Sequence, residues 1–157
     1  MNEKSIEYKD INQVLSDITS SLVGQFNLEE LLDKVVTLAM NLLKADVCSI
    51  FLDDKEKYPN KIKMMAGSGF AKVLVEKAEY EIGEGFTGFI AQTGKKFNIK
   101  TREELQSLVN EETGKTIWAG KHDTEQWVGG KNEFRNLIAL PLKIKDQIIG
   151  VIKVENK

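Results

Sequence analysis

The chain has 157 residues, 41% of them hydrophobic and 29% charged, which suits one globular domain with its own core and excludes a disordered segment. Its 22 basic and 24 acidic side chains leave a formal charge of −2, so it offers no electrostatic footprint for nucleic acid or an anionic membrane. No apolar run approaches the roughly 18 residues of a spanning helix, the start MNEKSIEYKD lacks a signal-peptide core, and the single cysteine, Cys48, excludes an intrachain disulfide and a cysteine-rich metal site. The expected location is the cytoplasm.

Ile11, Leu15, Ile18 and Leu22 are spaced alternately by four and three, with mostly polar residues between them, which is the seam of an amphipathic helix. Its partner is either the next helix of the same chain or the same helix of a second subunit. The narrow seam suits two-stranded packing, so residues 1–26 are expected to form a dimer helix, joining a homodimer. Gly24 and Asn27 interrupt the pattern, and Asn27 is a good N-cap for a helix whose first turn carries Glu29 and Glu30. That helix, about Leu28 to Lys44, has a wide apolar face and is expected to pack on the core.

From Asp46 the pattern becomes VCSIFLDD, apolar on both alternating faces, as in a central strand covered on both sides. Cys48, Ile50 and Leu52 would share one face and Val47, Ser49 and Phe51 the other. A polar loop containing Pro59 leads into a second strand, Lys61 to Gly67, ended by Gly67-Ser68-Gly69. Ala71 to Ala78 suits a short helix.

The stretch Tyr80 to Gly94, YEIGEGFTGFIAQTG, packs four glycines around a short apolar run. Gly83 and Gly85 permit positive φ, Phe86, Phe89 and Ile90 recur at helical spacing, and Gly94 suits a left-handed C-terminal cap. Free N–H groups around Gly85 to Gly88 at such a helix start favour an anionic or acceptor group, although the same glycines also serve a turn that only packs closely on a sheet. Lys96 to Ile99 is extended. Thr101 to Glu112 opens with a capping-box pattern, Thr101 with Glu104, and is expected to be a helix.

Thr113 to Glu133 is irregular, with Trp118, His122 and Trp127 among several glycines, as in a lid loop. Phe134 to Ile144 and Ile148 to Asn156 then form a hairpin of two long strands around a turn at Lys145-Asp146-Gln147. Pro141, without an N–H, should sit at a bulge or face away from the pairing.

In combination and in this order, LEELLDKVVTLAMNLLKAD, VCSIFLDD, IGEGFTGFIAQTGKKFNI and FRNLIALPLKIKDQIIGVIKVENK resemble the GAF domain, the small-molecule-binding and dimerisation module of phosphodiesterases, cyclases, sensor kinases and transcriptional activators. The resemblance runs from about Leu28 to Lys157, giving a domain over residues 27–157. It implies an α+β fold: a central antiparallel sheet of five or six strands, long helices on one face, and short helices and loops enclosing a pocket on the other. By the same resemblance Ser49 faces the cavity, and alternation carries Phe51 there with it. Gly85, Phe86, Thr87 and Ile90 supply one wall, Thr93 its far end, Trp118 and Trp127 the lid, and Arg135 stands where the chain re-enters the sheet. Cyclic-nucleotide-binding members tend to carry a Phe-Asp pair after the second strand, where this chain has Ala66-Gly67, which speaks against purine stacking.

No reactive centre emerges. His122 is the only histidine, with no cysteine or serine near it in a catalytic arrangement, and Cys48 reads as a small buried hydrophobe. Trp118 and Trp127 suit stacking on a planar ligand and packing over the sheet about equally. No metal is expected. The chain is thus expected to be a non-enzymatic sensory domain that binds a small cytoplasmic ligand and relays its state to an effector, in a longer protein or a partner chain. The alternative is a dimerisation module whose vestigial pocket is filled by Phe86, Trp118 and Trp127.

Overall fold

The computed structural model describes Gln13, Asp17 and residues 27–118 and 134–156. The seam residues Ile11, Leu15, Ile18 and Leu22, together with His122 and Trp127, lie outside the described residues.

Helix α1 spans Leu28–Leu43. Its start is fixed as expected: the Asn27 side-chain oxygen accepts from the Glu29 N–H at 3.1 Å, with Glu29 and Glu30 in the first turn. Lys44 closes it in the left-handed conformation. Leu32 and Val36 are buried, whereas Leu28 and Leu42, each 43% exposed, lie off the packed side.

Six strands follow: β1 (Val47–Asp53), β2 (Lys61–Ser68), β3 (Glu79–Glu81), β4 (Phe97–Ile99), β5 (Leu137–Ile144) and β6 (Gln147–Glu155). They form one antiparallel sheet in the order β3-β2-β1-β6-β5-β4. A 3-10 helix, Gly69–Leu74, and two short helices, α2 (Gly85–Thr93) and α3 (Arg102–Ser107), complete the described elements.

The two faces of β1 divide the core as alternation requires. Cys48 and Ile50 join Leu32, Val36, Ala66 and Val154 under α1, while Val47 and Phe51 join Phe86, Ile90, Ile99, Ala139 and Val151 on the opposite face. A register shift lets Ile50 pair with Ala66 and Phe51 with Met64. The extra residue, Met65, turns towards the α1 side, so consecutive methionines serve both layers.

Three local expectations change. Residues 79–81, read as the lead-in to the glycine-rich stretch, form a strand, with Lys61 opposite Glu81 and Lys63 opposite Glu79. The Lys61 ammonium donates to Glu79 at 2.7 Å. The helix expected over Ala71 to Ala78 is a 3-10 turn, cut short before Glu76, which holds φ 64° while its N–H donates to the Met64 carbonyl. The helix from Thr101 stops at Ser107, not Glu112. Its cap is as expected, with the Thr101 hydroxyl accepting from the Glu104 N–H at 3.2 Å. Beyond it the Asn110 side chain accepts from the N–H groups of Glu112 and Thr113, a local turn that competes with helix. Val109 then bridges to Thr116. The β5–β6 hairpin is as read, and Pro141 lies beyond the end of β4, where β5 has a free edge.

Candidate functional site

The site is built between α2 and the face of the sheet opposite α1. The glycine-rich approach behaves as its composition requires: Gly83 and Gly85 hold φ of 92° and 61°, and Gly94 caps α2 at φ 69°, its N–H donating to the Ile90 carbonyl at 2.8 Å. Gly88 is needed for closeness rather than for its dihedral. A Cβ there would collide with the Glu81 carbonyl oxygen, so a bare backbone lets α2 lie against the end of β3. One expectation about this helix is corrected. The Gly88 N–H is not free, because it donates to the Glu84 carbonyl at 3.1 Å as the first bond of the helix, leaving Gly85, Phe86 and Thr87 as the open-ended amides.

Helix α2 packs on β6, β5, β3 and β2. Phe86, Thr87 and Ile90 are buried, and the Phe86 ring meets that of Phe97 at 5.1 Å in a tilted contact. From the sheet, Phe51 is fully buried and its ring stands 5.7 Å from that of Tyr80. Burial, then Glu155 and Glu84, push the Tyr80 phenol up to about 12, so it stays protonated. Trp118 packs at the margin of the same cluster.

Ser49 and Thr87 are the polar members, each only 2% exposed. Neither hydroxyl has a hydrogen-bond partner among the described residues. Neither hydroxyl is wholly sealed from solvent.

The structure thus brings Phe51, Phe86, Ile90 and, at the edge, Trp118 into one cluster, with Ser49 on the same face of β1 as Phe51, Thr87 buried on α2 next to Phe86, and Gly85 at the helix start. Two residues expected there are engaged elsewhere. Thr93 is exposed, its hydroxyl donating to the Phe89 carbonyl at 2.8 Å and accepting from the Lys95 N–H. The Arg135 guanidinium donates to Asp46 at 2.9 Å and to the Asn156 carbonyl at 3.1 Å. Asn156, at φ 58°, accepts from the Arg135 N–H with its side chain. This latch ties the entry of β5 to the end of β6. Trp127 lies outside the described residues.

Sequence reasoning missed Lys153. It lies on β6 directly opposite Ser49 and Ala139, with its ammonium 5.1 Å from the centre of the Phe51 ring. Desolvation holds its pKa below the usual lysine range, with Glu155 opposing the shift. A lysine within the apolar run IIGVIKVEN, in phase with Val151 rather than with Ile152 and Val154, was the available signal.

Among the described residues, no group of His, Cys, Asp and Glu could hold a metal ion, and no helix is long and apolar enough to cross a membrane.

Comparison with known proteins identifies the family. The GAF domain model matches residues 27–157, and the chain belongs to that family, whose members are sensory and regulatory modules of signalling proteins. The chain is 21% identical over its whole length to the probable 3',5'-cyclic phosphodiesterase pde-5 of Caenorhabditis elegans, and spans 21% of that protein. Among solved structures, the GAF domain of an Acinetobacter phosphoenolpyruvate-protein phosphotransferase matches with a TM-score of 0.68 at 22% identity, covering 100% of this chain and 80% of the other. The nlh2 GAF domain of A. aeolicus, in an inactive state, matches with a TM-score of 0.65 at 24% identity, covering 96% and 81%. At such identities these structures establish the fold alone.

Proposed function

We propose that this chain is a non-catalytic sensory domain that binds a small ligand between α2 and the opposing face of the sheet, and relays its bound state to an effector in signal transduction. The carrying observation is that Ser49 and Thr87, each only 2% exposed, have hydroxyls without a partner among the described residues, Ser49 on the β1 face of Phe51 and Thr87 on α2 between Phe86 and Ile90. An apolar enclosure with a few convergent polar groups is the usual form of a small-molecule site. The relay works by differential affinity: a ligand favouring one arrangement of the domain and its N-terminal helix shifts the population towards it by no more than that difference. Membership of a family found in signalling proteins supports an effector in the same or a partner chain.

A second reading, a dimerisation module with a filled pocket, is favoured by the packing of Phe86 and Trp118 against the same cluster. Thermal-shift screening against nucleotides, amino acids and small acids separates the two, since binding to the native state raises stability by mass action. The sensor reading expects a saturable rise in Tm with at least one class. A flat response across all three supports the filled pocket instead.

A further inference from the structure

The sheet register aligns Gly67, Ser49, Lys153, Ala139 and Phe97 in one row across the face that α2 covers. Residues directly opposite on neighbouring antiparallel strands share a face, with Cβ atoms about 4.5–5.5 Å apart. Lys153 therefore rises between Ser49 and Ala139, two of the shortest side chains on that face, with Phe51 diagonal to it. Among the described residues its ammonium has no hydrogen bond and no ion pair within 4 Å, and it stands 5.1 Å from the centre of the Phe51 ring. Glu155, two residues along on the same face, acts on it only through space.

An ammonium has three donors and no acceptor, and the hydroxyl beside it, on Ser49, is unpaired as well. The Ser49 hydroxyl can accept as well as donate, yet it forms no hydrogen bond with the ammonium, so both groups are left with capacity for a ligand that can accept from each. The Phe51 ring face offers weak compensation to a charge on a half-buried side chain that is partly desolvated. A cationic ligand would be repelled, and a neutral one would leave the charge unanswered.

We propose that Lys153, with Ser49 beside it, is the recognition point for a small anion, a carboxylate or an inorganic oxyanion, bound on the α2-covered face of the sheet. This rests on the reading of that face as the ligand site and names the ligand's chemical class. The anion accepts from the Lys153 ammonium and the Ser49 hydroxyl in charge-assisted bonds, with the Phe51 ring holding the lysine from behind. The lowered Lys153 pKa is consistent with a cation awaiting its counter-charge.

The test titrates the full chain with sodium phosphate, nitrate, acetate and succinate, and with acetamide and succinamide as neutral counterparts, at constant ionic strength. Calorimetry gives the affinity. Lysine labelled with carbon-13 at the ε position reports on Lys153, whose resonance is assigned by its loss in Lys153→Met. At least one anion is expected to bind saturably and shift that resonance. Lys153→Met should weaken its binding by at least about tenfold, Ser49→Ala by a smaller factor, and Lys153→Arg should retain most of it. Should Lys153→Met fail to fold, Lys153→Gln replaces it. Anion binding that survives the loss of the charge overturns the proposal, as does a panel in which only the amides bind, an outcome that leaves the small-ligand site standing. If nothing in either set binds, the anion proposal falls, and the thermal-shift screen decides the broader reading independently.

Discussion

Individual side chains on the two faces of β1 have opposite chemical fates. Cys48, beneath α1, is fully buried, and burial with a contribution from Glu155 pushes its thiol up to about 11, from an ordinary value near 9. Between those values the unfolded thiol ionises while the native one keeps its proton. The native state then binds more protons, and stability falls as pH rises through that window. Urea denaturation at pH 8 and pH 10.5 should therefore show a loss that is smaller in Cys48→Ala, and an equal loss in both proteins would contradict the assignment. Lys153 makes the converse case. With no ligand bound, removing an uncompensated charge should leave stability unchanged or raise it by about 1 kcal/mol in Lys153→Met, and a clear drop in the urea midpoint would show that the charge is structural. The sequence made the alternation of Val47 to Leu52 legible because each face holds a run of apolar residues. It left the roles of Arg135 and Lys153 hidden, since the partners Asp46 and Asn156, or Ser49 and Ala139, lie distant in sequence and meet only through strand pairing.

At the level of elements, α2 is held close by the absence of a side chain at Gly88. In Gly88→Ala the new methyl meets a backbone carbonyl, which cannot rotate away, so α2 must lift from the end of β3. A loss of about 1–3 kcal/mol is expected by urea denaturation with an unchanged slope. An unaffected midpoint would mean that the contact relaxes freely. The glycine-rich turn, the caps of α1 and α3 and the β5–β6 hairpin were readable because each is written in local chemistry: Asn27, Thr101, Gly83, Gly85 and Gly94. Strand β3 was not, because Glu79-Tyr80-Glu81 is too short a run to carry a hydrophobic period. Its cue was the complementary charge of Glu79 and Glu81 against Lys61 and Lys63. The early stop of α3 was equally local but lay in one side chain, Asn110, which draws the following N–H groups into a turn.

For the whole molecule, the GAF fold divides labour between a sheet face covered by α1 and one covered by α2, and the second carries the unpaired donors. The dimer proposal concerns the segment before Asn27. Leu15→Glu combined with Ile18→Glu should convert a dimer to a monomer in sedimentation velocity, and a dimer that survives would sink the helix-seam arrangement. The claim on which the rest depends is that the space between α2 and the sheet binds a small molecule. Its most direct test is nitrogen-15 correlation spectroscopy of the chain, titrated with nucleotides, amino acids and small acids. Saturable shifts should gather at the amides of Gly85, Phe86, Thr87, Ser49 and Lys153. Shifts confined to the exposed side of α1, around Leu28 and Leu42, or a spectrum that no compound moves, would contradict it.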